Sequence, residues 1–326
     1  MMSDLRSGEI IFVKSVKDGI PNRDPLNESD ARRLFSEEDG RISLSDVSIK
    51  RDVRDYVLAR YPDGGDSKNK FVFVREEKTE DGKLLGRGSL AKKIQERSGR
   101  KGNMDEILKE SAFDVRVFGA VYSVGGSSFH LTGPVQFGWA HSLHPVETRY
   151  VQGTVVMPSK DINEKASGRG GESEESAGKQ QGTIWTTYTL PFAVFVMPGI
   201  INASIARETG MSEDDVDLLL EALWKGTQYR QARGRGIQQP LFLAHVEYAD
   251  PFFRIGYLEE HVRLLPEREV WLSGERPSSV AEVSLDVQDL GRVLRDYRDR
   301  VARVRWWIDP SLDIKGELPG EKQAAW

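Results

Sequence analysis

The order of apolar and polar residues along the chain predicts a succession of strands and helices. A β-branched and aromatic run at residues 9–16 predicts an opening strand, and apolar side chains near helical spacing predict a helix within residues 43–60. Ser45 is placed to cap that helix, and Tyr61 precedes a proline that would end it. The sequence MSEDD at residues 211–215, followed by apolar side chains at helical spacing, predicts a capping box and an amphipathic helix.

Further runs extend this pattern along the chain. Strand-like segments at residues 113–124 and 129–139, joined by a Gly-Gly turn, predict a hairpin that packs on the first strand. Residues 241–248 predict another strand, and the Arg-rich residues 283–307 predict a long helix within a C-terminal helical extension over residues 266–326. The whole order predicts an α+β fold in which an antiparallel sheet carries helices on one face, as in a ferredoxin-like or RNA-recognition-like fold.

Two segments depart from this pattern. Residues 62–112 combine a Gly/Asp/Lys loop, a short strand at residues 71–74 and a basic helical stretch near residues 90–97, and they predict an insertion. Residues 158–182 are rich in Gly, Ser, Glu and Lys and have almost no apolar side chain, which predicts a mobile segment unless a partner orders it. Because its flanks are β-rich, we expect it to be the tip of a projecting hairpin over residues 151–190.

The composition limits the classes of protein. The chain has 326 residues, is 38% hydrophobic, and has neither a membrane-spanning apolar run nor a secretory signal pattern, so we expect a soluble cytoplasmic protein. The absence of Cys excludes disulfides, thiolate zinc sites and a cysteine nucleophile. A formal net charge of −5 excludes a diffuse positive field, so any nucleic-acid binding depends on local basic clusters, found at residues 86–101 and 225–236.

Motifs for catalysis and metal binding are weak. The phosphate-loop, nucleophile-elbow and two-His zinc-helix patterns do not occur in the sequence. His141 and His144 form a close pair without Cys or carboxylate at ligand spacing. Asp18, Asp24 and Asp30 could collect a divalent metal for phosphodiester cleavage, but Asp in a loop commonly serves turn formation. We therefore expect no catalytic residue, metal or cofactor.

Basic residues are arranged in a way that suits a nucleic-acid backbone. Lys50 and Arg54 fall one turn apart on one face of the predicted helix, with Arg51 beside them, although a solvated helix face would give the same spacing. Arg233 and Arg235 alternate with glycine in a later loop. Together with hydroxyl groups near a helix N-terminus, these side chains favour phosphate binding.

The sequence ISLSDVSIKRDVRDY at residues 42–56 resembles the first-helix signature of the CRISPR-associated Cas-seven (Cas7) family, the backbone subunits of Cascade complexes. Four further segments resemble its type I-B branch and follow in the family's order. They are FDVRVFGA at residues 113–120, LTGPVQF at 131–137, HSLH at 141–144 and EALWKGT at 221–227. The resemblance extends over most of residues 9–265.

The resemblance implies a single Cas7-like domain over residues 1–326, with a palm, a finger-like insertion at residues 62–112 and a thumb hairpin at residues 151–190. It implies that the protein is not an enzyme but polymerises along a CRISPR RNA and presents the bases for pairing with target DNA. The implied partners are the CRISPR RNA, the target DNA, further copies of the chain, and Cas-five, Cas-eight, Cas-eleven-like and Cas-six-like subunits, without a membrane.

The resemblance also implies which residues touch RNA, mainly in the first helix and the loop before it. The implied set is Arg23, Ser43, Ser45, Lys50, Arg51, Arg54, Gln136, His141, Arg233 and Arg235. In the later basic loop, Gln231 and Ala232 stand where the family usually has a basic residue or Ser. Two alternatives remain open: a metal-dependent ribonuclease of the type III kind that uses Asp24, and an RNA-binding module without a CRISPR role that stays monomeric.

Overall fold

The structure is a computed structural model that describes residues 5–27, 30–154 and 184–326. Its strands are β1 (Gly8–Lys17), β2 (Ser43–Leu44), β3 (Gly119–Val124), β4 (Ser127–Thr132), β5 (Val135–Phe137), β6 (Ala140–Ser142), β7 (Arg149–Thr154), β8 (Ile184–Thr189), β9 (Phe192–Ile201), β10 (Ile237–Tyr248), β11 (Arg263–Leu265), β12 (Ser284–Asp286), β13 (Val301–Ile308), β14 (Asp313–Lys315) and β15 (Glu321–Lys322). Its helices are α1 (Asp46–Arg60), α2 (Arg87–Ser98), α3 (Met104–Ser111), α4 (Phe113–Phe118), α5 (Ala203–Thr209), α6 (Glu213–Tyr229), α7 (Arg268–Trp271) and α8 (Gln288–Asp296), with 3₁₀ turns at Leu258–His261 and Val280–Glu282. The predicted α+β class is confirmed.

An eight-stranded sheet forms the centre of the molecule, in the order β15–β13–β10–β1–β9–β6–β2, with β5 also paired to β9. β1 runs antiparallel to both β9 and β10. Every residue of β1 except Lys17 is buried, because layers of the protein cover both faces of the sheet. The strands predicted at residues 9–16 and 241–248 are both confirmed, and the structure shows that they are neighbours at the centre of the sheet.

One face of the sheet is covered by α1 and α6. The predicted capping box is confirmed, because the Ser212 hydroxyl accepts the Asp215 N–H at 3.3 Å and the Asp215 carboxylate accepts the Ser212 N–H at 3.1 Å. The two helices approach closely at Gly226, where an added Cβ would lie 2.5 Å from the carbonyl oxygen of Asp52. The apolar residues of both helices share one core with the sheet.

The C-terminal region covers the opposite face and corrects the prediction of a helical extension over residues 266–326. The long helix predicted at residues 283–307 was wrong, since this segment contains β12, the short α8 and β13. β13 pairs with β10 and alternates its side chains between the two cores, with Val304 and Ile308 on one face and Trp307 on the other. This two-residue period is that of a strand.

Residues 62–112 fold around a separate apolar cluster that includes Phe71, Phe73, Leu90 and Ile94. The basic helix predicted near residues 90–97 is confirmed within α2, and α3 follows it. The strand predicted at residues 71–74 was wrong, because in the described part of the chain Phe71 forms an isolated bridge with Ala112.

Residues 113–139 also differ from their prediction in part. Phe113–Phe118 is the helix α4, whose residues are buried all round and so lack the alternation of a half-exposed strand. The hairpin of β3 and β4 does form, with its turn at Gly125 and Gly126, but as a separate two-stranded sheet. β5 joins β9 of the main sheet.

The hairpin strands predicted on either side of residues 158–182 are found as β7 and β8, which pair antiparallel from Arg149–Thr189 to Thr154–Ile184. The tip predicted at residues 158–182 lies outside the described residues. None of the helices in the described ranges has the length and apolar character that a membrane crossing requires.

Candidate nucleic-acid interface

The cations of α1 lie where its helical spacing predicts. Lys50 and Arg54 both lie over the ring of Phe118, at 5.7 and 5.2 Å from its centroid, which confirms that they share one face. Lys50 pairs with Asp46 at 2.8 Å, one turn away. Arg51 is the most accessible of the three cations, with 42% of its side chain exposed.

Each α1 cation also has a carboxylate partner that limits its motion. Arg51 donates to Asp55 at 2.6 Å, one turn further along the helix. Arg54 donates to Asp114 of α4 at 2.9 Å, and Asp114 is fully buried. These ion pairs restrain the two guanidinium groups, more firmly for Arg54 with its buried partner than for the exposed Arg51.

Ser43 and Ser45 lie beneath this surface and are both buried. The Ser43 hydroxyl lies 3.0 Å from Nδ1 of His141 on the adjacent strand, and the His141 ring meets the edge of Phe35 at 4.7 Å. Burial, together with the nearby Arg41 guanidinium, lowers the pKa of His141. Ser43 therefore holds His141 in place.

Ser45 occupies the N-cap position of α1, but its side chain does not cap the helix. Its backbone N–H and its hydroxyl both donate to Oδ1 of Asn22, each at 2.9 Å. The expected capping role is thus corrected. Ser45 instead ties the start of α1 to the loop that contains Arg23.

Arg23 and Arg233 meet at a recess of about 510 Å³ beside the base of the β7–β8 hairpin. Arg233 lies 5.2 Å above the ring of Trp185 on β8, and Tyr188 lines the same recess. Arg23 packs so closely against Gly234 that a side chain there would collide with its guanidinium. Trp185 was missed in the sequence, where only its place in a β-rich segment near a basic loop could have indicated it.

Two of the expected contact residues are placed differently. Arg235 is only 7% exposed and donates to Asp52 at 3.0 Å and to the carbonyl of Pro21 at 2.9 Å, so the structure corrects its expected position at the RNA surface. Gln136 donates to the carbonyl of Gly133 at 3.0 Å and lines another recess, of about 260 Å³. The structure therefore groups neither side chain with the α1 cations.

The basic helix α2 carries much of its charge in local ion pairs. Lys93 pairs with Glu77, and Arg97 pairs with Asp63. Arg100, just beyond the helix, pairs with Glu110 at 3.0 Å. Carboxylates of the insertion thus neutralise part of the cluster that the sequence contains at residues 86–101.

Two residues that the sequence offers as possible metal ligands, Asp24 and His144, make other contacts in the structure. The Asp24 carboxylate accepts the N–H of Leu26 at 2.9 Å, which is turn chemistry. His144 is buried and stacks on Trp271 with ring centroids 3.5 Å apart, which separates its role from that of His141. Among the described residues, no group of three His, Asp or Glu side chains could hold a metal ion.

The fold and this surface define an α+β protein with a central, mainly antiparallel sheet and a cationic helix beside a basic, aromatic recess. The family model described as "CRISPR-associated protein Cas7" matches residues 6–288. The chain belongs to the Cas7 family.

One relative and two solved structures are similar to this chain. The chain is similar to a CRISPR-associated protein Cas7 of Haloferax volcanii, with 26% identity over 327 residues that cover 96% of this chain and 90% of the relative. A chain of a "CRISPR RNA-guided surveillance complex, pre-nicking" matches with a TM-score of 0.57 and 15% identity, covering 98% of this chain and 96% of that chain. A chain of a "CRISPR RNA-guided surveillance complex" matches with a TM-score of 0.52 and 14% identity, covering 96% and 95%. At these identities the structural matches establish a shared fold.

Proposed function

We propose that this chain is the backbone subunit of a type I, I-B-like CRISPR RNA-guided surveillance complex. Copies of it line up along the guide RNA and present that RNA for pairing with target DNA. The observation that carries the proposal is the Cas7 family match over residues 6–288, which spans the cationic helix and the recess. The other proposed partners are further subunits of the same surveillance complex.

In this proposal the sheet and its two helices are a ferredoxin-like palm. α1 follows β1 and α6 follows β9, and the strands lie in the order β10–β1–β9–β6. That order is the one expected of a split β-α-β fold. The insertion at residues 62–112 is the finger, and the β7–β8 hairpin is the thumb.

The α1 cations bind the sugar–phosphate backbone of the guide. Arg51, the most exposed, meets phosphate with its planar fork of N–H donors. Lys50 and Arg54 add charge from the same face, held over Phe118. A guide held by its phosphates leaves its base edges free, so sequence is read by base pairing.

The recess at the hairpin base gives an unstacked base a place to bind. Arg233 lies over the ring of Trp185, so the base packs on a surface formed by the guanidinium plane and the indole together. The hairpin of one copy interrupts base stacking where it crosses the guide, and its tip contacts the neighbouring copy. Deleting residues 159–181 weakens assembly in this proposal while the monomer remains folded, and undiminished assembly contradicts it.

We further propose that the chain binds RNA without cutting it. The turn hydrogen bond from the Leu26 N–H to Asp24 supports this, since it gives the carboxylate a structural role that accounts for an aspartate in this loop without catalysis. The alternative is a metal-dependent ribonuclease centred on Asp24. Metal-dependent cleavage of RNA by the purified protein, abolished by Asp24→Ala, would establish that alternative.

Ultraviolet crosslinking tests the proposed RNA face. The protein is irradiated in complex with single-stranded RNA, and crosslinked peptides are identified by mass spectrometry. The proposal expects crosslinks in α1, in residues 230–236 and at Trp185. Crosslinks confined to the C-terminal region after residue 266 would contradict the assigned face.

A further inference from the structure

Asp52 of α1 is a fully buried carboxylate that binds three cations. Its Oδ1 accepts hydrogen bonds from Arg230 at 2.8 Å and from Arg235 at 3.0 Å. Its Oδ2 accepts a hydrogen bond from Lys14 at 3.2 Å. The cations come from β1, from the end of α6 and from the loop before β10, so one side chain joins three segments to α1.

The same network reaches the two loops that form the recess. Arg235 also donates to the carbonyl of Pro21 at 2.9 Å, which anchors the loop that contains Arg23. Arg233 and Gly234 lie between Arg230 and Arg235, so both ends of their loop are bound to Asp52. The positions of the Arg23 and Arg233 guanidinium groups thus depend on a residue that neither of them touches.

The charges of this cluster make the carboxylate essential to its geometry. Three buried or partly buried cations surround one Asp52, and burial lowers the pKa values of Lys14 and Arg235. Without the carboxylate these cations would repel one another and lose their shared acceptor. Asp55, which lies 3.4 Å from Nε of Arg230, is near enough to bind only one of them.

We propose that Asp52 is a positioning residue for RNA binding: it holds the loop of Arg233 and the loop of Arg23 at the recess beside Trp185 without touching RNA. This inference rests on the proposed function. The inference predicts that Asp52→Asn binds RNA more weakly than wild type, whereas the change in charge alone would predict tighter binding. Asp52→Asn makes the protein more positive by one charge, which alone strengthens RNA binding, whereas displacement of the loops weakens it.

Salt-dependent RNA affinity distinguishes the two effects. The affinity for single-stranded RNA is measured at several salt concentrations for wild type, Asp52→Asn and Asp299→Asn. The control Asp299→Asn makes the same charge change at an exposed carboxylate of the C-terminal region, outside the proposed RNA face, and we expect wild-type or slightly tighter binding from it. For Asp52→Asn we expect binding about tenfold weaker with a shallower salt dependence, because Arg233 no longer meets phosphate. Binding as tight as that of Asp299→Asn, with an unchanged salt dependence, overturns the inference.

A second variant covers the case in which Asp52→Asn fails to fold. Arg235→Lys keeps the net charge but replaces the two guanidinium nitrogens that reach Pro21 and Asp52 separately with a single ammonium nitrogen on a shorter side chain, so we expect several-fold weaker RNA binding in a folded protein. Wild-type affinity in Arg235→Lys contradicts the inference.

If wild type itself does not bind RNA, the proposed function fails. Limited trypsin digestion still tests the loop, since we expect faster cleavage after Arg233 in either variant, and an unchanged rate contradicts that.

Discussion

Asp114 accepts a hydrogen bond from Arg54 at 2.9 Å while its two oxygens also accept the backbone N–H groups of Phe73 and Val74, at 2.7 and 3.0 Å. One buried carboxylate therefore fixes a cation of the proposed RNA surface and the base of the insertion at residues 62–112. The arrangement links the binding surface to the fold itself.

We expect Asp114→Ala to destabilise the protein by about 3 kcal/mol, because it leaves Arg54 without its partner and two backbone donors without an acceptor. Urea unfolding followed by circular dichroism measures the change. Asp81→Ala is the control, since Asp81 is an exposed carboxylate that pairs with the exposed Lys83. Equal stabilities of the two variants would contradict the structural role of Asp114.

The contact between α1 and α6 depends on Gly226. An added Cβ would lie 2.5 Å from the carbonyl oxygen of Asp52, so the helices would have to separate. We expect Gly226→Ala to lower the free energy of unfolding by about 2 kcal/mol, despite the better helix propensity of alanine. Gly274→Ala serves as the control because nothing lies near its added Cβ, and a neutral Gly226→Ala would show that the helices pack differently.

His144 makes the stability depend on pH. Its Nε2 accepts the N–H of Val194 at 3.1 Å and its Nδ1 lies 2.8 Å from the carbonyl of Pro145, an arrangement that fits a neutral ring. Burial lowers the pKa of His144 to about 4, from an ordinary value of 6.5. The unfolded chain therefore binds a proton first as the pH falls, and stability is lost from about pH 6.5 down to pH 4.

At pH 5 this single residue should reduce the free energy of unfolding by about 2 kcal/mol relative to pH 7. His144→Phe keeps an aromatic ring against Trp271 but cannot be protonated, so its loss of stability between pH 7 and pH 5 should be smaller by that amount. Burial also lowers the pKa of His245, to about 3, and that contribution remains in the variant. Identical pH profiles for wild type and His144→Phe would refute the assignment.

Trp185 and Arg233 should contribute to RNA binding in different ways. Trp185→Leu removes a stacking surface, so we expect weaker binding with an unchanged salt dependence. Arg233→Ala removes a cation, so we expect the slope of log affinity against log salt to decrease by about 1. Titrations at four salt concentrations separate these effects. Equal slopes for wild type and Arg233→Ala would mean that Arg233 does not meet phosphate.

Local sequence signals predicted the parts of the fold that local chemistry controls. α6 begins after the predicted cap Ser212, and α1 ends at Tyr61 as predicted, because capping and proline effects act within a few residues. Residues 301–308 were predicted wrongly as helix, because an Arg-rich segment can fit a helical pattern. Only the pairing of this segment with β10 identifies it as a strand. The helix at Phe113–Phe118 was missed because its β-branched residues are buried on every side by other segments.

The candidate site likewise has features that local sequence patterns predict and features that depend on residues far apart in the sequence. The shared face of Lys50 and Arg54 follows from helical spacing alone. The burial of Arg235 depends on Asp52, 183 positions away in the sequence, and no local pattern indicates such a partner. Trp185 gains its importance from Arg233, which comes close only after the hairpin and the loop before β10 have folded.

The mass of complexes formed on single-stranded RNAs of increasing length tests the central proposal most directly. Native mass spectrometry of wild type and of Lys50→Ala/Arg54→Ala gives the number of copies bound at each length. We expect wild type to add subunits stepwise as the RNA lengthens, and we expect salt and the double substitution to weaken this assembly. One bound copy at every length, or binding indifferent to both substitutions, would contradict a guide-RNA backbone subunit.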